Sequence, residues 1–252
     1  MGCKLIAASP KNKKASYLIS LFDQDTMRLA ALIDGNRITD IRTAASSAVA
    51  VNAIVSDEKF KVAILGSSAV ARGHLHALYA TGRIDSVRVF SPTQVNREKF
   101  ATDFSTLYGI DIQAVSTPED AVADANVVLC ASRSHDGGPV FNATWLKAGM
   151  TIVSVSSTLP EQRELDVETM QRAALIVADM PEEVLHETGD ALAVQAVGDD
   201  LSLKLVSLGD VISKKKVIRQ HPDDIVIYKS VGSALQDIVT AEMLLRNAKA
   251  QS

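Results

Sequence analysis

The residues with the clearest chemical potential are Gly66-Ser67-Ser68-Ala69-Val70-Ala71, which follow the apolar run Val62 to Leu65 and lead into a helical pattern reaching Tyr79. A strand that turns on a glycine into a helix offers backbone N–H groups to an anion, and the helix dipole adds to the attraction. Gly66 can make the tight turn and Ala71 is small enough for close helix packing, but Ser68 stands where a second glycine normally lets backbone approach a diphosphate. Its Cβ narrows the turn, while its hydroxyl can donate to a phosphate oxygen. Taken alone, Gly66 to Val70 suits a structural strand-to-helix turn as well as a dinucleotide-binding one. A second parallel strand about twenty residues later favours the dinucleotide. That strand ends on Ser91-Pro92-Thr93 instead of the acidic residue that would bond a ribose hydroxyl and repel a 2′-phosphate, so NADP(H) is favoured over NAD(H). Ser91 and Thr93 can donate hydrogen bonds, and Arg97 either adds charge for the phosphate or is simply solvated. Ser132, just past the strand that ends near Ala131, joins the expected cofactor-binding set.

These residues need a scaffold, and from Lys61 onward short β-branched runs alternate with helical patterns, as parallel strands with crossover helices require. The strands read as Val62 to Leu65, Val87 to Ser91, Asp111 to Val115, Asn126 to Ala131, Thr151 to Ser156 and Leu175 to Asp179. Several are apolar on successive residues, which predicts a sheet covered on both faces. The fold class is therefore α/β, a Rossmann-type doubly wound parallel sheet over 57–228, with a second, smaller domain from 1–56 plus 229–252. Thr117 reads as a helix N-cap ahead of Pro118, and Pro181 opens another helix. Tyr17 to Phe22 and Leu29 to Ile33 flank the polar turn Asp23-Gln24-Asp25 as hairpin or meander strands. Ala44 to Val55 is nearly all small or apolar, predicting a helix buried almost all round, between domains or subunits. Ala234, Ile238, Ala241 and Leu245 give Ser233 to Ala248 one apolar face, predicting a final helix that returns to the N-terminal region.

Composition narrows the function classes. The chain has 252 residues, 47% of them hydrophobic, and a formal net charge of −4, enough for a substantial core and without the positive field that draws in nucleic acid or anionic lipid. The longest basic run, Lys214 to Lys216, reads as a solvated loop. No run approaches the ~18 apolar residues of a membrane helix. Two cysteines, Cys3 and Cys130, make neither a disulfide framework nor a four-cysteine zinc site, and a reducing cytoplasm fits. The five histidines lack metal-ligand spacing, so no metal is expected; His74 and His76, two apart on a helix, should face different ways in structural roles. His135 lies on the ligand-binding edge of the sheet beside Gly137-Gly138, which suggests a mobile loop. No nucleophile elbow and no CxxC pair is present, which removes hydrolase and thiol-redox readings.

With these features in place, Gly2-Cys3-Lys4, Ile38 through Ala45, Val89 through Thr93, Pro139-Val140-Phe141 with Trp145-Leu146, Arg163-Glu164-Leu165-Asp166, Gly189-Asp190 and Tyr228 through Gly232 stand in an order that resembles the ornithine cyclodeaminase and mu-crystallin family over nearly the whole chain. The resemblance implies an NAD(P)-dependent oxidoreductase acting on the C–N bond of an amino or imino acid, of the ketimine reductase or amino-acid dehydrogenase type, working as a homodimer. It implies that Lys4 is the active-site lysine and Arg42 the grip on the substrate carboxylate. By position alone Lys4 is a surface lysine near a chain start, and Arg42 could cap the link between hairpin and helix. Ser230-Val231-Gly232 is similar to the segment beside the nicotinamide, where Gly232 permits close approach; otherwise it is the N-cap region of the last helix. Thr158 stands where cyclodeaminases carry a catalytic aspartate, and threonine cannot serve as a carboxylate base. Ornithine cyclodeamination to proline and ammonia is thus the alternative rather than the first reading, and a non-catalytic NADPH- or ligand-binding homologue is another. Relatives carry a segment ahead of Gly2-Cys3-Lys4, so the smaller domain is expected to be truncated, with exposed strand edges and weakened dimerisation.

Overall fold

A computed structural model describes every residue except Pro10, Lys13, 133–137 and Ser252. The chain runs β1 (Gly2–Ser9), β2 (Lys14–Phe22), β3 (Leu29–Asp34), α1 (Asn36–Ile54), β4 (Phe60–Leu65), α2 (Ala69–Tyr79), β5 (Ile84–Phe90), α3 (Gln94–Tyr108), β6 (Asp111–Ala114), α4 (Pro118–Val122) and β7 (Val127–Cys130). It continues through β8 (Thr151–Ser154), α5 (Val167–Arg172), β9 (Leu175–Ala178), α6 (Pro181–Glu187), α7 (Gly189–Ala196), β10 (Leu205–Ser207), α8 (Leu208–Ile212), β11 (Val226–Lys229) and α9 (Ala234–Ala250). Two compact units result, Met1–Thr43 with Gly232–Ser252, and Ala44–Val231.

In the smaller unit β1, β2 and β3 form an antiparallel sheet in that order. Asp23 closes the β2–β3 turn by accepting from the amides of Asp25 and Thr26 and from the Thr26 hydroxyl. The period of two along β2 buries Ile19 and Leu21, and α9 covers them with Ala241, Ile238 and Leu245. β1, not read as a strand from the sequence, pairs with β2 along its full length, Lys4 opposite Ile19.

The larger unit holds an eight-stranded parallel sheet in the order β10-β9-β11-β8-β7-β4-β5-β6. Alternate residues of each apolar run serve opposite faces: Val62 and Ile64 join one core with Val127 and Leu129, while Ala63 and Leu65 join the other with Val128 and Cys130. Helices over both faces explain why these strands show no alternation of apolar and polar residues. Thr117 caps α4 by accepting from the Asp120 amide, with Pro118 in the first turn. After β6 the chain crosses back to the other side of β4, so the order reverses between β4 and β7. Ligands bind open α/β sheets at the carboxyl ends of strands flanking such a reversal.

Two expectations need correction. Among the described residues the sheet has eight strands, not six: β10 is only three residues, and β11, inserted between β8 and β9, ends on a buried lysine that disguises a central strand. The helix expected from Ala44 begins at Asn36, where the Asp34 carboxylate accepts the Asn36 amide. Within the single chain it leaves Ala45 and Val49 exposed, one turn apart on the same face. Among the described residues, no helix is long and apolar enough to cross a membrane.

Candidate functional site

At the end of β4 the Gly66 amide donates to the Phe90 carbonyl at the end of β5, 2.8 Å away. Gly66 has φ +132°, and a Cβ there would lie 2.5 Å from the Ala131 carbonyl oxygen, so the turn tolerates only glycine. The Ser67 hydroxyl bonds the Ser91 hydroxyl at 3.0 Å, tying the turn to the next strand end. Ser68 is the N-cap of α2, yet its hydroxyl donates to the Ala131 carbonyl at 3.3 Å and leaves the first-turn amides uncapped by its side chain. Ser68, Ala69 and Val70 are exposed and the first turn carries no acid, which suits an incoming anion. The crowding expected of Ser68 is thereby turned aside toward β7.

Ser91 is buried at the β5 end, and Arg97 donates to its carbonyl at 2.9 Å while lying over the Phe90 ring. The guanidinium is therefore anchored to the strand end, a placement that helical position alone did not disclose. Thr93 is the exposed N-cap of α3, and Ser132 is half-buried just beyond β7. His135 and Gly137 lie outside the described residues. His74 and His76 do face opposite ways: His74 is buried, bonding the Val70 carbonyl and Ser47, and its desolvated ring is held down to about 4, hence neutral. His76 is exposed against Tyr108.

Ser230 and Val231 follow β11. The Ser230 hydroxyl and the Val231 amide both donate to the Asp179 carboxylate, at 2.7 and 3.0 Å. In the sequence Asp179 stands only at the end of the run that forms β9; an acid at that edge of a parallel sheet is the available signal. The N-cap of α9 is Ser233, which accepts from the Gln236 amide.

The smaller unit gathers the two cations. Lys4 Nζ donates to Asp237 Oδ2 at 2.9 Å and to the Thr39 hydroxyl at 2.8 Å, and sits 4.7 Å from the centre of the Tyr17 ring. Arg42 Nε donates to Asp237 Oδ1 at 3.0 Å, and its Nη1 to Gln236 at 3.0 Å. Side-chain exposures of 8%, 9% and 3% for Lys4, Arg42 and Asp237 show that neither cation is a surface group. Asp237 went unrecognised, although an acid beside the apolar stripe of the last helix marks a buried partner. A Cβ on Gly232, which has φ +83°, would lie 2.4 Å from Arg42 Nη1, so this glycine leaves room for the guanidinium.

A second charged cluster lies in the larger unit. Lys229 Nζ pairs with Asp190 at 2.8 Å and donates to the Ser154 hydroxyl and the Ser157 carbonyl, each at 2.8 Å. Glu164 accepts from the Ser154 hydroxyl at 2.6 Å and the Ser156 amide at 3.0 Å. Burial pushes the Glu164 carboxyl up to about 7, against the pull of Lys229 and its hydrogen bonds and with the help of Asp190. The Cys130 thiol is pushed up by the same burial and by these carboxylates. Because the native Glu164 holds its proton above the ordinary 4.5, its stabilising contribution is complete below that pH and fades as pH rises to about 7. Thermal melts of Glu164→Gln should accordingly fall less between those limits than melts of the parent; parallel curves would contradict the raised value. Thr158, half-buried, donates its amide to the Gln162 side chain at 3.2 Å.

A family model for the ornithine cyclodeaminase/mu-crystallin family matches residues 1–252. Ketimine reductase mu-crystallin of Mus musculus is 34% identical over 226 residues, covering 90% of this chain and 67% of that protein. The structure of Thermococcus litoralis Delta(1)-pyrroline-2-carboxylate reductase in complex with NADH and L-proline superposes with a TM-score of 0.91 at 28% identity, over 99% of this chain and 78% of that one. The probable ornithine cyclodeaminase of Bordetella pertussis Tohama I gives 0.88 at 31% identity, over 98% and 77%.

Proposed function

The chain belongs to the ornithine cyclodeaminase/mu-crystallin family, and on that footing we propose that it is an NAD(P)-dependent oxidoreductase of the C–N bond, reducing the imine of a 2-oxo acid or oxidising the matching amino acid. The observation that carries this reading is the single Asp237 carboxylate shared by Lys4 and Arg42. Two cations on one anion leave a surplus positive charge in a setting less than a tenth exposed, where a substrate carboxylate would be strongly attracted. Arg42 grips that carboxylate through parallel N–H donors and fixes the α-carbon. Lys4, oriented by Asp237 and Thr39, supplies the proton from Nζ to the imine nitrogen.

The dinucleotide supplies the hydride when bound. Gly66, Ser67, Ser68, Ala69 and Val70 would hold its diphosphate, and Ser132, Ser230 and Val231 would contribute along the same sheet edge. The turn fits such a group, since Gly66 is kept free of a Cβ and the α2 amides are open. Ser91, Thr93 and Arg97 make NADP(H) the favoured carrier, because no acid occupies the β5 end and a guanidinium is bonded to it. Calorimetric titration should give NADPH a Kd about tenfold or more below that of NADH, and Arg97→Ala should erase the difference. Equal affinities in the parent would remove the preference.

Turnover tests the whole proposal. Purified protein should consume NADPH with imines formed from 2-oxo acids and amines, and Arg42→Ala should raise KM about tenfold or more, with a smaller effect on kcat. An unchanged KM would dismiss Arg42 as the carboxylate grip. Ornithine converted to proline and ammonia without net use of nicotinamide would replace the reductase reading by cyclodeamination. A homodimer is supported by the sheet face opposite α9, where Leu5 opposite Leu18, and Leu32, are exposed. The cytoplasm suits two cysteines that are not paired with each other.

A further inference from the structure

The segment between Val155 and Asp166 runs along the carboxyl edge of the sheet with neither helix nor strand of its own, yet Val155, Ser156 and Ser157 are buried. Buried irregular backbone must find partners for its N–H and C=O groups. Here side chains provide several of them, Gln162 for the Thr158 amide and three charged groups for the backbone on either side. Glu164 accepts from the Ser156 amide, Lys229 donates to the Ser157 carbonyl, and Asp190 Oδ1 accepts from the amides of Glu164 and Leu165 at 2.8 and 3.0 Å. The Ser154 hydroxyl joins the set by accepting from Lys229 and donating to Glu164.

All of these side chains are 0–1% exposed. Two carboxylates and one ammonium withdrawn so far from water are a poor way to gain stability, since well-packed apolar residues often do as well or better. What the charges provide is shape. Lys229 ends β11 and Ser154 ends β8, neighbouring central strands, while Asp190 lies in the first turn of α7, so the backbone between them is held from three elements. In sheet order β8 lies two strands from β4, beyond the reversal at β4/β7 and opposite the side taken by β5. A dinucleotide held with its diphosphate at Gly66 and its 2′-phosphate corner at Ser91 would extend its other half across that reversal.

We propose that Lys229, Asp190 and Glu164 form a positioning cluster that holds the Ser156-Ser157-Thr158 turn in the shape required by the nicotinamide half of the dinucleotide. The cluster touches neither cofactor nor substrate; it acts through the turn. The inference rests on the dinucleotide reading above, and two independent measurements separate them. Hydrogen exchange at the amides of Ser156 and Thr158 reports the turn without any ligand, while NADPH titration reports the cofactor.

Lys229→Met keeps the length of the side chain and removes the ammonium. It should speed exchange at those amides about tenfold or more relative to the β4 and β7 amides, and raise the NADPH Kd by a similar factor. Ser154→Ala, a smaller excision for use if the methionine variant does not fold, should speed exchange about threefold or more. Exchange within about twofold of the parent in a folded variant overturns the proposal. So does a loosened turn with unchanged NADPH affinity, which would make the cluster structural only. A parent protein that fails to bind NADPH and NADH would overturn the dinucleotide reading, and with it the ligand served by the turn.

Discussion

Asp237→Ala is expected to destabilise the protein by about 3–5 kcal/mol, the range for a buried ion pair that loses one member. The cost arises because the Lys4 ammonium and the Arg42 guanidinium, 8% and 9% exposed, would be left with no carboxylate between them. Surface ion pairs are worth far less, typically under about 1 kcal/mol, so burial decides the size of the effect. Denaturant unfolding followed by circular dichroism would measure it, and the melting temperature should drop by about 10 °C in a chain of this length. Asp237→Asn should cost less, because the amide oxygen still accepts from one of the two donors. Losses below about 1 kcal/mol for the alanine variant would mean that the cations re-pair or reach water, and the charge argument for substrate binding would fail with them.

Gly66→Ala should be comparably damaging, by a different route. At φ +132° an L side chain is strained, and the added carbon would sit 2.5 Å from the Ala131 carbonyl oxygen, which belongs to backbone and cannot rotate away. Strain and overpacking of this kind cost about 1–3 kcal/mol each. Any relief requires the ends of β4 and β7 to separate, which disturbs the Ser68–Ala131 bond and moves the α2 amides. Dinucleotide affinity should therefore fall about a hundredfold, if the variant folds at all. Fluorescence titration with NADPH on the folded fraction checks the loss of affinity, and denaturant unfolding checks the loss of stability. Retained affinity at parental stability would show that the turn yields more easily than its geometry implies.

Local rules carried much of the fold. The unbroken apolar runs at Val62 and Val127 reported strands covered on both faces, and Thr117-Pro118 reported a helix start, because sheet coverage and capping leave their mark within a few residues. The Gly66 turn was legible for the same reason: its chemistry is contained in one strand, one turn and one helix. Lys4 and Arg42 were different. Their positions were suggested by resemblance, but nothing near either residue pointed to the partner they share.

Pattern therefore settled most element types, the parallel sheet and the glycine turn, since burial and backbone conformation are written in short-range periodicity. Tertiary structure alone decided that β11 enters the centre of the sheet with its charged residue buried, that Asp237 binds cations 233 and 195 residues away, and that Gly232 makes room for a guanidinium. Charge pairing acts through space, and a lysine at the end of an apolar run looks like a strand finding water until the acid that neutralises it is brought alongside.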